Sequence, residues 1–168
     1  MSSKATQRTP AMTRKLLTAT GYDKLKAELS YLVREHRPEI TAVVSWAASL
    51  GDRSENADYT ENKRKLRQID RRIRYLTKLF DVAERIEHSP EQAGKIYFGA
   101  WCELENDEGE TLRFRIVGDE EVYGEKNYIS LRSPMARACL GKSLDDEVTV
   151  HTPEGDKHWY IIGIDYQK

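Results

Sequence analysis

Two runs of apolar residues at alternating spacings of three and four dominate this chain, and they leave it few ways to fold. The first carries Tyr22, Leu25, Leu29, Leu32, His36, Ile40, Val43, Ala47 and Leu50, and opens just after Thr20, a residue type suited to capping a helix. The second carries Tyr59, Asn62, Leu66, Ile69, Ile73, Leu76, Phe80 and Ala83 without a fault. Such spacing keeps one stripe of a helix apolar, so each run needs a partner. Joined by the short segment between them, the two satisfy one another as an antiparallel coiled-coil hairpin. One irregularity stands out: the step from Leu32 to Ile40 is eight residues instead of seven, and Pro38 removes a backbone donor there. A kink or short break is expected near Pro38. One helix over 21–50 would be roughly 45 Å long at 1.5 Å per residue, so most of the hairpin must project into solvent or into a partner.

The periodicity changes after Ser89-Pro90. Lys95–Glu105, Thr111–Val117, Tyr128–Leu131, Glu147–His151 and His158–Tyr166 have the pattern of strands, with hairpin connections at Asn106–Gly109 and Pro153–Asp156. Ser133-Pro134 supplies a cap and a first-turn proline for a short helix over Met135–Leu140, which Gly141 stops. The fold class expected is α+β: a disordered tail over 1–17, a helical hairpin over 18–88 with its tip at 51–59, and a small antiparallel sheet domain with a short helix over 89–168. The tail is polar and carries no acid before Asp23; it is short and lacks the amphipathic pattern of an organellar transit peptide. No run of about 18 apolar residues offers a membrane span, and the start lacks a secretory apolar core, so the chain is expected to be soluble and cytoplasmic. Cys102 and Cys139 are too few for a disulfide framework or a four-ligand zinc site and are read as reduced, buried thiols.

The formal net charge of -1 hides a dipole. Residues 1–88 hold 18 Lys/Arg and 12 Asp/Glu, net +6, whereas 89–168 hold 9 and 16, net -7. Lys63, Arg64, Lys65, Arg67, Arg71, Arg72 and Arg74 place seven cations in twelve residues against Asp70 alone. Lys63, Arg67, Arg71 and Arg74 share a helix face, which suits a phosphate backbone and equally a solvated coiled-coil flank. Without interleaved aromatics the run favours phosphate contact over base reading. Between the seams, Gly51-Asp52-Arg53-Ser54-Glu55-Asn56-Ala57-Asp58-Tyr59 concentrates acids. Asp52 and Glu55 could offer two oxygens to Mg²⁺, half a site that a partner would complete. From spacing alone the pair reads first as a capping box at a helix start, with Asp58 as a first-turn acid, Arg53 a solvated cation, Asn56 a loop hydrogen bonder and Tyr59 a seam residue. His36, His88, His151 and His158 have no metal-ligand spacing, and Trp46, Trp101 and Trp159 read as packing residues, although Trp46 lies near enough to the tip to meet a partner.

The segment Trp46-Ala-Ala-Ser-Leu-Gly-Asp-Arg-Ser-Glu-Asn-Ala-Asp-Tyr59 closely resembles the hairpin tip of the bacterial Gre transcript cleavage factors, a family of transcription elongation factors. Asp70–Tyr75, Ser133–Arg137 and Gly141-Lys142 match as well, and the resemblance runs from about Thr18 to the C-terminus, nearer the GreB branch than the GreA branch. It implies a coiled-coil hairpin followed by a domain of FKBP-like fold, with no prolyl isomerase activity attached to that fold. It further implies a catalytic cofactor of bacterial RNA polymerase, not an enzyme in itself. The globular domain would dock at the rim of the secondary channel through the element around Ser133 and Pro134, although Arg132 stands where the GreB branch often has an acid. The hairpin would enter the channel, where Asp52 and Glu55 match the acids that complete a weakly held Mg²⁺ and position the attacking water during cleavage of backtracked RNA. Arg53, Asn56, Asp58 and Tyr59 match supporting tip positions, and the basic run would hold the nascent RNA 3′ end. A monomer is expected. Two alternatives stay open on the residues: a secondary-channel modulator without cleavage activity, and a duplex-DNA-binding coiled coil acting without polymerase, which the acidic globular half disfavours.

Overall fold

The structure is a computed structural model that describes residues 14–51 and 55–166. Both seams are realised as the arms of an antiparallel hairpin. The first arm is α1 (Ala19–Tyr31), a π-helical turn over Leu32–His36, and α2 (Arg37–Ser49); the second is a single 26-residue helix, α3 (Ala57–Val82). Leu25, Leu32, Ile40, Ile69, Leu76 and Leu79 are buried between them, with Tyr22 edge-on to Phe80 at 5.1 Å. The eight-residue step is absorbed rather than broken. Arg37 N–H reaches back five residues to the Leu32 carbonyl, so the surplus residue is wound into one wide turn immediately before Pro38, which has no N–H to give. Leu32 and Ile40, each 8% exposed, therefore return to the same seam.

The base of the hairpin differs from the expectation in two respects. The cap of α1 is Thr18 and not Thr20: Thr18 has extended geometry and its Oγ1 accepts Gly21 N–H at 3.1 Å, whereas Thr20 already lies in the first turn. The helical seam also ends before Ala83. Lys15–Thr18 (β1) and Ala83–Ile86 (β2) form a two-stranded parallel sheet, in register from Lys15 opposite Ala83 to Thr18 opposite Ile86. β1 thus covers the last three residues of the stretch assigned to the tail; Arg14 before it is described, and 1–13 lie outside the described residues. Four-residue strands flanked by helix carry too little alternation to be read as strands.

The remaining strands are β3 (Trp101–Glu105), β4 (Thr111–Val117), β5 (Tyr128–Ser130), β6 (Glu147–Thr152) and β7 (Gly155–Asp165), ordered β5-β4-β3-β7-β6. All pairs are antiparallel except β4 with β5, which is parallel, so this is the curled, mostly antiparallel sheet that an FKBP-like domain requires. The strand expected from Lys95 begins only at Trp101; Lys95 makes an isolated bridge to Ser143, and Gly99 (φ 88°) turns the chain into β3. Helix α4 (Pro134–Cys139) packs on β6 and closes a core of Ile96, Leu104, Phe114, Ile116, Val148 and Ile161. Cys102 and Cys139 are free and buried in that core, where burial pushes their thiols up to about 12 and about 11.

Glu121, 8% exposed, joins the two units. Its carboxylate accepts Thr18 N–H at 3.0 Å and Gly118 N–H at 2.8 Å, and the Thr18 hydroxyl donates to its other oxygen. The approach is so close that a Cβ on Gly21 would stand 1.9 Å from Glu121 Oε1, and one on Gly118 would stand 2.1 Å from the Leu16 carbonyl. Beside it Glu120 accepts from Lys15 Nζ at 2.5 Å and from the Tyr75 hydroxyl. Burial disfavours charge on Glu120, but the bonds from Lys15 and Tyr75 outweigh it and hold the carboxyl below its usual range.

Glu121→Ala strands three donors and is expected to cost roughly 3 kcal/mol, lowering the melting temperature by on the order of 10 °C, with exposed Glu91→Ala as the neutral control. Because Glu120 is depressed in the folded state, its contribution is complete above the ordinary carboxylate range. It is lost as pH falls through and below that range, so Glu120→Gln should flatten the acid limb of a pH series of thermal melts.

Candidate functional site

The tip is closed by Asn56. Helix α2 stops where Leu50 N–H turns back to the Ala47 carbonyl at 3.2 Å, and Gly51, at φ 112° and with nothing within 4 Å of a would-be Cβ, leads the chain away. Asn56 then caps α3: its Oδ1 accepts Tyr59 N–H at 3.1 Å, while its Nδ2 donates to the same Ala47 carbonyl at 2.8 Å. One side chain therefore starts the second arm and ties it to the end of the first. This corrects the capping-box reading. Glu55 precedes the cap instead of sitting in the first turn, and the third helical position is Tyr59, so Asp-x-x-Glu does not satisfy the helix start. Glu55 is exposed, and no hydrogen bond or ion pair ties it to another described residue. Asp52, Arg53 and Ser54 lie outside the described residues. Asp58 is the exposed first-turn acid, its carbonyl accepting Asn62 Nδ2 at 2.8 Å, and Tyr59 is half-buried with its hydroxyl accepting Lys63 Nζ at 2.9 Å.

The basic run does not act as one surface. Arg72 makes a two-pronged contact with Glu28 on α1, Nε at 2.7 Å and Nη2 at 3.0 Å, and those bonds raise its already high pKa. Its guanidinium is a strut across the hairpin base. Arg64 is held by Glu61 one turn earlier at 2.5 Å, and Asp70, the acid within the run, is taken by Arg37 at 2.7 Å. Arg67, Arg71 and Arg74 are exposed and have no acidic partner among the described residues, whereas the charge of exposed Lys65 helps to lower the Glu61 pKa. Of the four residues expected on one face, Arg67, Arg71 and Arg74 thus keep their charge free, and Lys63 leans on the Tyr59 ring at 5.1 Å.

In the globular unit, Ser133 Oγ accepts Ala136 N–H at 3.3 Å and Pro134 stands exposed at the first position of α4. Arg132 reaches Asp119, which also accepts from the Ser130 hydroxyl; the Ser130 bond foremost, and then Arg132, hold Asp119 below its usual range. Two features at the tip escaped the periodicity. Trp46 and Leu50 are 57% and 59% exposed, one helical turn apart, although the seam counts Leu50 as buried; the arm ends at Leu50 and leaves it without cover from the described residues. Their exposure shows that neither packs inside the hairpin. Among the described residues no group of three or more His, Cys, Asp or Glu is placed to hold a metal, and no helix is long and apolar enough to cross a membrane.

A family model described as transcription elongation factor, N-terminal, matches residues 15–84, and one described as transcription elongation factor, GreA/GreB, C-term, matches residues 91–166. Transcription elongation factor GreB of Vibrio cholerae serotype O1 is 62% identical over 158 residues, covering 94% of this chain and 98% of its own. That of Pseudomonas putida is 58% identical over 155 residues, covering 92% and 96%. Among solved structures, GreA factor homolog 1 of Thermus thermophilus is 28% identical, covers 90% of this chain and 99% of its own, and superposes with a TM-score of 0.41.

Asn56→Ala removes both the cap and the tie to Ala47 and is expected to cost about 1 kcal/mol. Hydrogen exchange should show faster amide exchange across Ala47–Thr60, with the protection of β3, β4 and β7 unchanged.

Proposed function

The chain belongs to the GreA/GreB family of transcription elongation factors, and from that premise we propose that it enters the secondary channel of bacterial RNA polymerase and stimulates the polymerase's own cleavage of backtracked nascent RNA, so rescuing arrested complexes. The observation that carries this reading is the tip: Asn56 takes over the helix cap and leaves Glu55 exposed at the far end of two long arms.

Two carboxylates can bring oxygen ligands but cannot hold Mg²⁺ tightly, so the protein is inert alone and acts as a catalytic cofactor of the polymerase. Asp52 and Glu55, together with groups of the polymerase, would hold Mg²⁺, which would supply charge stabilisation for the cleavage. Asp52 and Glu55 would orient the attacking water through their carboxylate oxygens. Arg53, Asn56, Asp58 and Tyr59 support that geometry, Asn56 by the two bonds described above. Arg67, Arg71 and Arg74, with Lys63 and Lys65 beside them, offer charge to the phosphates of the extruded RNA 3′ end. Arg64 and Arg72 join only by giving up Glu61 and Glu28. The face around Ser133 and Pro134 docks at the channel rim, with the protein working as a cytoplasmic monomer.

Added to stalled, backtracked polymerase with Mg²⁺, the protein should shorten the RNA from its 3′ end. Asp52→Ala or Glu55→Ala should reduce that rate on the order of 100-fold while competition binding to polymerase is retained. Undiminished cleavage by the double variant would overturn the proposal, and inhibition without shortening would replace it with the non-cleaving modulator.

The basic face makes a separate prediction. Arg67→Ala with Arg71→Ala should raise the concentration needed for half-maximal cleavage and weaken its salt dependence. Arg72→Ala should instead lower the melting temperature, because its partner is Glu28.

A further inference from the structure

Independently of the function proposed above, the junction between hairpin and sheet contains a cation that the fold does not neutralise. Arg115 on β4 is 6% exposed. Its Nε donates to the Gly99 carbonyl at 3.0 Å and its Nη1 to the Tyr128 hydroxyl at 3.4 Å, both uncharged acceptors. Its strand neighbours are the aromatic residues Trp101 and Tyr128. No carboxylate of a described residue lies within ion-pair distance. Taking a guanidinium out of water without a counter-charge is strongly unfavourable, so such groups are normally paired.

Arg115 lines a cavity of ≈ 260 Å³ that also receives Thr20, Arg85, His88, Gly99 and Tyr166. The acid on its wall, Glu87, is already held by Arg85, which in turn grips Asp23 at 3.0 Å. The first turn of α1 forms part of the same wall, its start already capped by Thr18 Oγ1 and faced by the Glu121 carboxylate. Arg115 is thus the guanidinium on this space that no carboxylate of a described residue pairs, with the His88 ring stacked on Tyr166 beside it, and such a cation suits an oxyanion.

We propose that this cavity is an anion site for a phosphate group, free or carried on a small phosphorylated molecule. Size sets the upper limit: the space equals roughly nine liquid water volumes, ample for phosphate but below the usual range for drug-sized ligands. The walls come from α1, β2, the segment after it, β4 and the C-terminal Tyr166, so a bound anion would bridge hairpin and sheet and stiffen their junction.

Thermal unfolding of the full chain, titrated with sodium phosphate and with glycerol phosphate against sodium chloride at matched ionic strength, tests this. A saturable rise in melting temperature specific to the phosphates is expected; equal half-saturation identifies free phosphate as sufficient, and tighter binding of glycerol phosphate identifies a phosphorylated small molecule. Arg115→Met should weaken half-saturation about tenfold or more. Should that variant fail to fold, Thr20→Asp places a carboxylate at the cavity wall and should abolish the phosphate response while retaining the fold by circular dichroism. Absence of a saturable rise, or a rise undiminished in whichever of these variants folds, overturns the proposal.

Discussion

The hairpin can place its tip only if its base is fixed, and Glu121 is the side chain that fixes it. A buried carboxylate receiving Thr18 N–H, Thr18 Oγ and Gly118 N–H binds the start of α1 to the turn after β4. Thr18 is shared: its hydroxyl caps α1 while donating to Glu121, and its backbone belongs to β1. A single residue thus ends a strand, begins a helix and anchors one unit to the other. Gly21 and Gly118 follow from that arrangement, since no side chain fits where the carboxylate and the Leu16 carbonyl approach them.

What the sequence makes legible is what repeats. The two seams predict the arms, and even their fault is informative, because an eight-residue step before a proline is what a single π-helical turn accommodates. The strands of the globular unit are legible through alternation and turn residues, with ends displaced where Gly99 delays β3. The clasp is not legible. β1 and β2 are four residues each, and Glu121 lies in Asp119-Glu120-Glu121, a run that reads as solvated surface. Its burial is decided by a residue 103 positions away, and no local pattern encodes that.

Charge shows the same division. A count of cations identifies α3 as basic, but only the fold separates those that hold the molecule together from those left over. Arg72 and Arg37 are spent on Glu28 and Asp70, whereas Arg67, Arg71 and Arg74 remain unpaired among the described residues. The acids of the tip are the reverse case. Spacing favoured a capping role for Asp52 and Glu55, and the motif resemblance favoured chemistry. The structure decides against capping for Glu55 because Asn56 performs that role.

The length of the lever explains why both ends must be rigid in the proposed role. Helix α3 alone spans about 39 Å at 1.5 Å per residue, so holding a tip carboxylate to about 0.5 Å would require the base to define its angle to within roughly one degree. A clasp of a few hydrogen bonds cannot do that alone. The base therefore sets the direction of approach and the walls of the partner's channel must complete the alignment, which gives the exposed Trp46 and Leu50 a use as the last points of contact before the acids. Asn56 ties the start of α3 to the end of α2, so that in this role a correction delivered at Trp46 and Leu50 would reach Glu55 through that bond.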